Sequence, residues 1–583
     1  MTIDYIINNF QEILIMNQNP IINCHTHIFT GENIPPYIGK KFMPAILYRL
    51  LTVPLIIGIC KFWFTSRYSP YKSNFSFQNS NLKKNLVKLK LFWQSIWLIR
   101  TLVDLIGFIL VIFSSYILFK YFFKEIELLE FLLVKLYQIK PFECLKIDAL
   151  QIFIIIFTLI AIPYGRKIAM MIFRNSKKFS LLFINEDQLK FITRYISIGR
   201  FAYYKEQKTI FKRLKDQYPK DTQFVVLPMD MEFMKAGEIK PEGNYQNQME
   251  KLKELKQKNP QIIHPFVFVD PRRENVGYAD FFKWRNNNGK VVLEECFIKD
   301  YIEKENFAGF KIYPALGYYP FDEKLLPLWK YAADNNLPIM THCIRGTIFY
   351  RGYKRKEWYY HPIIKDVKLP DEYMLLSKSK NIDFTVDFTH PLNYLCLLNP
   401  FLLKEWIKKC NKPELFELFG YSEATDSISS DLSNLKICFG HYGGDDEWKK
   451  FLERDRDNYS HKMSNNSNGI EFLNPQNPNL SYGGLMDIWK NADWYTIISS
   501  LMMQYPKVYA DLSYIIHDQE IIPLLKHTLR NESLKNKVLF GTDFYVVRNH
   551  NSEKDLLAQT MSNLSSEEFD LIARNNPINY LKN

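Results

Sequence analysis

At 583 residues the chain is long enough for one large barrel with an insertion, or for three ordinary domains. Hydrophobic residues at 47% and aromatics at 16% exclude a disordered or fibrous chain. The net charge of +13 is compatible with nucleic acid, an acidic membrane surface or a Lys-rich proteome, so its placement decides more than its sum. The cysteines are scattered with no CxxC pair, which suits reduced thiols in a cytosolic compartment. The first residues, MTIDYIINNF, carry an acid and no basic stretch, so no secretory signal is expected.

In chain order, the first informative stretch is IINCHTHIF, residues 21–29. Alternation along a strand turns His25 and His27 to the same side, which makes a chelating pair. GENIPPYIG then reads as a loop. From residue 31 to 210 the texture is aromatic, Leu/Ile-rich and basic, and it reads as a helical insertion after the first strand. Leu105 to Phe119 and Ala149 to Gly165 are uncharged runs of 15 and 17 residues, near the ~20 that a bilayer span needs. Lys83, Lys84, Lys88, Lys90 and Arg100 precede them, and Arg166, Lys167, Arg174, Lys177 and Lys178 follow, with no acid among either set. By the positive-inside rule this predicts a transmembrane hairpin, about residues 102–122 and 148–165, whose flanks face the cytoplasm. The alternative is a soluble cytoplasmic chain whose apolar helices pack on the barrel or on a second copy in a homo-oligomer. Because the basic stretches accompany apolar helices, they favour lipid over nucleic acid.

From residue 211 onward the pattern is regular. QFVVLPMD, IIHPFVFVDPRR, GFKIYP, PIMTHC, KICFGHYGG, KVYADLSY and KVLFGTDF are short apolar runs ending in polar or Gly/Pro punctuation, as buried parallel strands do. With the first strand they number eight, and helical segments such as FDEKLLPLWKYAADNNL lie between them. The expected fold is an α/β protein, a (β/α)8 TIM barrel formed by residues 1–30 and 211–583, with long loops at 346–434 and 445–505 over its mouth.

The strand ends carry the chemistry. His25 and His27 end the first strand, Lys311 lies in the fourth, His342 ends the fifth, His441 the sixth and Asp543 the eighth, so all converge on one end of the barrel. Neutral imidazoles with one carboxylate suit zinc or another divalent ion with a position left for water. Such an ion lowers the water's pKa from 15.7 to about 7, and Asp543 is placed both to ligate and to take the proton. Arg345, Arg272 and Arg273 could recognise an anionic small molecule, and His390 could support the site. Tyr313 and Tyr318 are candidates for the pocket wall.

On HTH at residues 25–27, THC around His342, GHYGG from His441, GTDF around Asp543 and the C-terminal NPINYL, the sequence resembles the amidohydrolase superfamily, over residues 20–30 and 222–583. The branch it resembles is the amidohydrolase-related group that includes aminocarboxymuconate semialdehyde decarboxylase. The resemblance implies that His25, His27, His342 and Asp543 bind metal, that His441 binds or polarises the reacting water or substrate, and that Asp543 is also the general base. In binuclear members a carboxylated lysine on strand four bridges two metals, and Lys311 matches that position. In the decarboxylase-like branch the site is mononuclear, so the expectation is one divalent ion, with zinc first and a bridged second metal as the minority case.

The expected function is metal-dependent hydrolysis of an amide, ester or lactone through a metal-activated water. The first alternative is metal-dependent, non-oxidative decarboxylation of an unsaturated or aromatic acid. An alternative of another class is a catalytically silent, membrane-associated scaffold or binding module.

Overall fold

The computed structural model describes residues 19–37, 97–122, 148–161, 206–366, 372–453, 458–474, 482–544 and 546–582, together with 131, 135, 138 and 204. The chain divides into two compact units, Met1–Lys41 with Thr193–Asn583, and Phe42–Ile192.

The first unit is built on eight parallel strands: β1 (Ile22–Thr26), β2 (Gln223–Val226), β3 (Ile263–Phe268), β4 (Gly309–Ile312), β5 (Ile339–His342), β6 (Ile437–Gly440), β7 (Val508–Asp511) and β8 (Val538–Leu539). Each pairs with the next in sequence order. The last strand returns to the first: the N–H of Cys24 donates to the carbonyl of Phe540 at 2.9 Å, that of Asp543 to His25 at 2.9 Å, and Thr26 bridges to Phe544. All eight expected strands are present, and the sheet is a closed (β/α)8 barrel.

The strands are short and nearly continuous in apolar residues because helices cover their outer side and packed side chains fill the inside. Ile22, Cys24, Val225, Leu227, Phe266, Met340, Cys438 and Leu539 form one buried cluster, joined by Tyr580 of the terminal helix Asn576–Leu581. Gly440 ends β6 with no side chain because a Cβ there would lie 2.7 Å from the Thr341 carbonyl and 3.0 Å from the His25 ring. The imidazole occupies the space that any other residue would claim.

The two long connections contain more regular structure than loops. Residues 346–434 hold an antiparallel pair, Tyr360–Lys365 with Tyr373–Leu375, and helices Asn381–Thr389, Pro400–Cys410 and Pro413–Phe419. Residues 445–505 hold helices Asp445–Leu452, Tyr459–Asn465, Tyr482–Asn491 and Trp494–Gln504. Their Pro and Asn residues mark helix starts: Pro400 opens one helix while the Asn399 side chain accepts the N–H groups of Phe401 and Leu402.

In the second unit, helices Trp97–Phe122 and Asp148–Ala161 are described, joined by a hydrogen bond from Ser114 Oγ to Thr158 Oγ1 at 2.9 Å. Among the described residues no helix is long and apolar enough to cross a membrane, so the spanning hairpin expected at 102–122 and 148–165 is not shown. The expected membrane tether and its cytoplasmic orientation have no support among the described residues. Much of the insertion, including its basic flanks at 81–96 and 166–178, lies outside the described residues.

Candidate metal centre

Four imidazoles and two carboxylates gather at the C-terminal end of the barrel, where β1, β5, β6, β7 and the turn after β8 meet. His25, His27 and Asp543 form one group able to hold a metal ion, and His25, His441 and Asp511 form a second that shares His25. His27 Nε2 lies 3.2 Å and His25 Nε2 3.9 Å from Asp543 Oδ1.

The outer nitrogens show why these atoms point inward. His25 Nδ1 meets Asp511 Oδ2 at 2.8 Å, His27 Nδ1 meets the Leu227 carbonyl at 2.8 Å, and His441 Nδ1 meets the Ser513 carbonyl at 3.1 Å. A neutral imidazole donating from Nδ1 presents its lone pair at Nε2, and such outer acceptors fix both tautomer and ring direction. Burial holds the His25 pKa well below its ordinary value, with Lys311 and His27 adding to the effect. Burial likewise takes His441 down to about 4 against the opposing pull of Asp543. At neutral pH both are therefore uncharged and able to ligate. His25 Nε2 is buried and has no hydrogen-bond partner among the described residues. A buried orphan nitrogen facing a carboxylate and a second imidazole fits a divalent cation.

His342 is arranged differently. Its Nδ1 lies 3.1 Å from His441 Nε2, its Nε2 has no hydrogen-bond partner among the described residues, and its ring stacks on Tyr313. Lys311 Nζ is also buried without a partner there. Burial lowers its pKa to about 8, opposed by Asp511 and Asp543. The backbone is strained at the same place: His441 has φ 66° and Asp543 φ 61°, left-handed values that non-glycine residues rarely adopt and that cluster at functional sites.

The other expected site residues have different surroundings. Arg345 is exposed. Arg272 makes a two-pronged pair with Asp270, Nε to Oδ1 at 2.7 Å and Nη2 to Oδ2 at 2.5 Å, and Arg273 pairs with Asp230 and Glu232. His390 accepts from the Leu392 N–H and stacks on Trp489 with ring centroids 3.9 Å apart. Tyr318 donates to the Val269 carbonyl at 3.0 Å, inside the scaffold.

Two residues of the centre were missed in the sequence, Asp511 and Ser513. Asp511 ends β7 as Asp543 follows β8, and its carboxylate holds His25 Nδ1 and accepts the His441 and Ser513 N–H groups. Ser513 Oγ lies 3.0 Å from His25 Nδ1 and 2.9 Å from His441 Nδ1. The signal was an acid at the end of an apolar strand in YADLSY, the same position that marks the other site residues.

The strand order and this cluster together define a (β/α)8 barrel with a histidine and carboxylate centre at its functional end. No family model matches the sequence, and no curated protein matches it either. Among solved structures the chain is similar to an uncharacterised TIM-barrel protein from Bordetella bronchiseptica, at 10% identity and TM-score 0.31, covering 64% of this chain and 82% of that one. It is similar to a 5-carboxyvanillate decarboxylase from Novosphingobium aromaticivorans with bound manganese, at 12% identity and TM-score 0.35, covering 67% and 84%. It is also similar to a 4-oxalomesaconate hydratase from Rhodopseudomonas palustris, at 12% identity and TM-score 0.30, covering 64% and 80%. These likenesses are faint, and the barrel assignment stands on this chain's own strand order.

Proposed function

We propose that the protein is a metal-dependent hydrolase acting on an amide, ester or lactone of a small molecule. The observation that carries this reading is the buried, partnerless His25 Nε2 facing His27 Nε2 and Asp543 Oδ1. His25, His27, His342 and Asp543 would hold one divalent ion, with zinc the first choice for imidazole and carboxylate donors. When bound, the ion supplies Lewis-acid activation of water at neutral pH. Asp543 accepts the water's proton and returns it to the leaving group. His441, held through Nδ1 by the Ser513 carbonyl and with Nε2 3.1 Å from His342 Nδ1, would bind or polarise the reacting water or substrate.

The second reading, decarboxylation of an unsaturated or aromatic acid, draws on Lys311. Burial lowers its pKa to about 8 against the pull of Asp511 and Asp543, and the side chain is suited to hold a substrate carboxylate. The same residue offers the minority case, a carboxylated bridge to a second metal. A screen of the metal-loaded protein against amides, esters and lactones on one side and aromatic acids on the other separates the two. Hydrolysis products support the first reading, and carbon dioxide release with no hydrolysis replaces it with the second. Less than one equivalent of metal in folded protein prepared without chelator would sink both in favour of a silent scaffold.

A further inference from the structure

His25, His27 and His441 each have Nδ1 held by an acceptor outside the ligand set: Asp511, the Leu227 carbonyl and the Ser513 carbonyl. His342 Nδ1 is held differently, 3.1 Å from Nε2 of His441, another imidazole of the cluster, and not by a carboxylate or a backbone carbonyl. A flat face also lies against it. The Tyr313 ring stacks on the imidazole with centroids 3.8 Å apart and planes inclined by 12°.

Tyr313 is itself firmly placed. It follows β4, and its N–H donates to Tyr318 Oη at 2.9 Å, while Tyr318 donates to the Val269 carbonyl at 3.0 Å. The Arg272 guanidinium lies 5.4 Å from the centre of the Tyr318 ring and is fixed by Asp270. On the other side the chain after β5 comes close at Gly346, where a Cβ would sit 3.4 Å from both His342 Nε2 and Tyr313 Oη. The stacked pair is therefore enclosed, and rotation of the imidazole would have to displace the tyrosine.

We propose that Tyr313 is a positioning residue of the metal centre, its ring face setting the plane of His342, whose Nδ1 meets another imidazole where the other three meet a carboxylate or a backbone carbonyl. This rests on the reading that His342 serves a bound metal. The part that matters is the aromatic face; the hydroxyl is dispensable for metal binding. Pairing of aromatic rings is modest in strength, so its loss should weaken zinc binding by about threefold to tenfold.

The test is competition for zinc between a chromophoric chelator and the full-length apo protein, as wild type, Tyr313→Phe, Tyr313→Leu and Tyr313→Met. Phe should bind within about twofold of wild type, while Leu and Met should bind about threefold to tenfold more weakly. The visible spectrum of the cobalt-loaded protein should change in Leu and Met and stay unchanged in Phe. A merely structural role would lower the apo melting temperature while leaving affinity and cobalt spectrum alone. The proposal is overturned if Leu and Met bind as wild type does, or if Phe loses as much as they do. Should Leu not fold, Met and Phe carry the same comparison. Wild-type protein that holds no zinc or cobalt at all refutes the metal centre itself, an outcome distinct from a failure of the stacking.

Discussion

Asp511 serves two histidines at once: one oxygen accepts the Nδ1–H of His25 while the other accepts the backbone N–H groups of His441 and Ser513. Asp511→Asn would keep the shape but can set an amide N–H against the His25 N–H. Zinc affinity should fall by about tenfold to a hundredfold, as it does when outer partners of metal ligands are lost, and a competition titration measures it. Asp543→Asn should abolish turnover with little change in melting temperature, because the removed charge serves proton transfer and ligation; wild-type turnover in that variant would end its assignment as base. His25, His27, His342, His441 and Asp543 were legible because each closes an apolar strand with a short recognisable punctuation. Asp511 obeys the same rule, yet in YADLSY an acid after a strand reads equally well as a cap. Arg272 and His390 could not be placed from sequence, since an arginine in a connection looks the same whether it faces a substrate or a neighbour such as Asp270.

At the scale of elements, strand order was legible because parallel barrel strands leave an apolar signature of fixed length. The long connections were not, because Pro and Asn punctuate both loops and helix starts, and only packing distinguishes them. One buried group in these connections makes a pH prediction. His361 Nδ1 accepts the N–H groups of Ile363 and Ile364, and its Nε2 meets Asn393 Oδ1 at 3.1 Å, so the ring is held neutral. Burial takes its pKa to about 3, only partly opposed by Asn393. With an unfolded value of ~6.5, the unfolded chain binds the proton first as pH falls. Stability is thus full above about pH 6.5 and is lost on acidification toward about 3, by at most a few kcal/mol. The melting temperature of the wild type should drop from pH 7 to 4.5, and that of His361→Gln should drop less.

The molecule as a whole consists of a barrel unit interrupted by a second unit spanning Phe42–Ile192. Replacing that span with a short Gly/Ser linker should leave a folded barrel that binds zinc with wild-type affinity, as circular dichroism and the same competition titration would show. A barrel that no longer folds would mean the insertion is structurally required. The apolar insertion was visible as a change of texture, but its uncharged runs of 15 and 17 residues lie too near the ~20 of a bilayer span to establish its relation to a membrane. The closure of β8 on β1 has a consequence in time. The N–H of Asp543 bonds to the carbonyl of His25 across a separation of 518 residues, so the two halves of the centre are made far apart in translation. A ribosome-bound chain that has emerged only through β7 carries the histidines but neither Asp543 nor the closing strand, so the full ligand set comes together only once β8 and the turn after it have emerged.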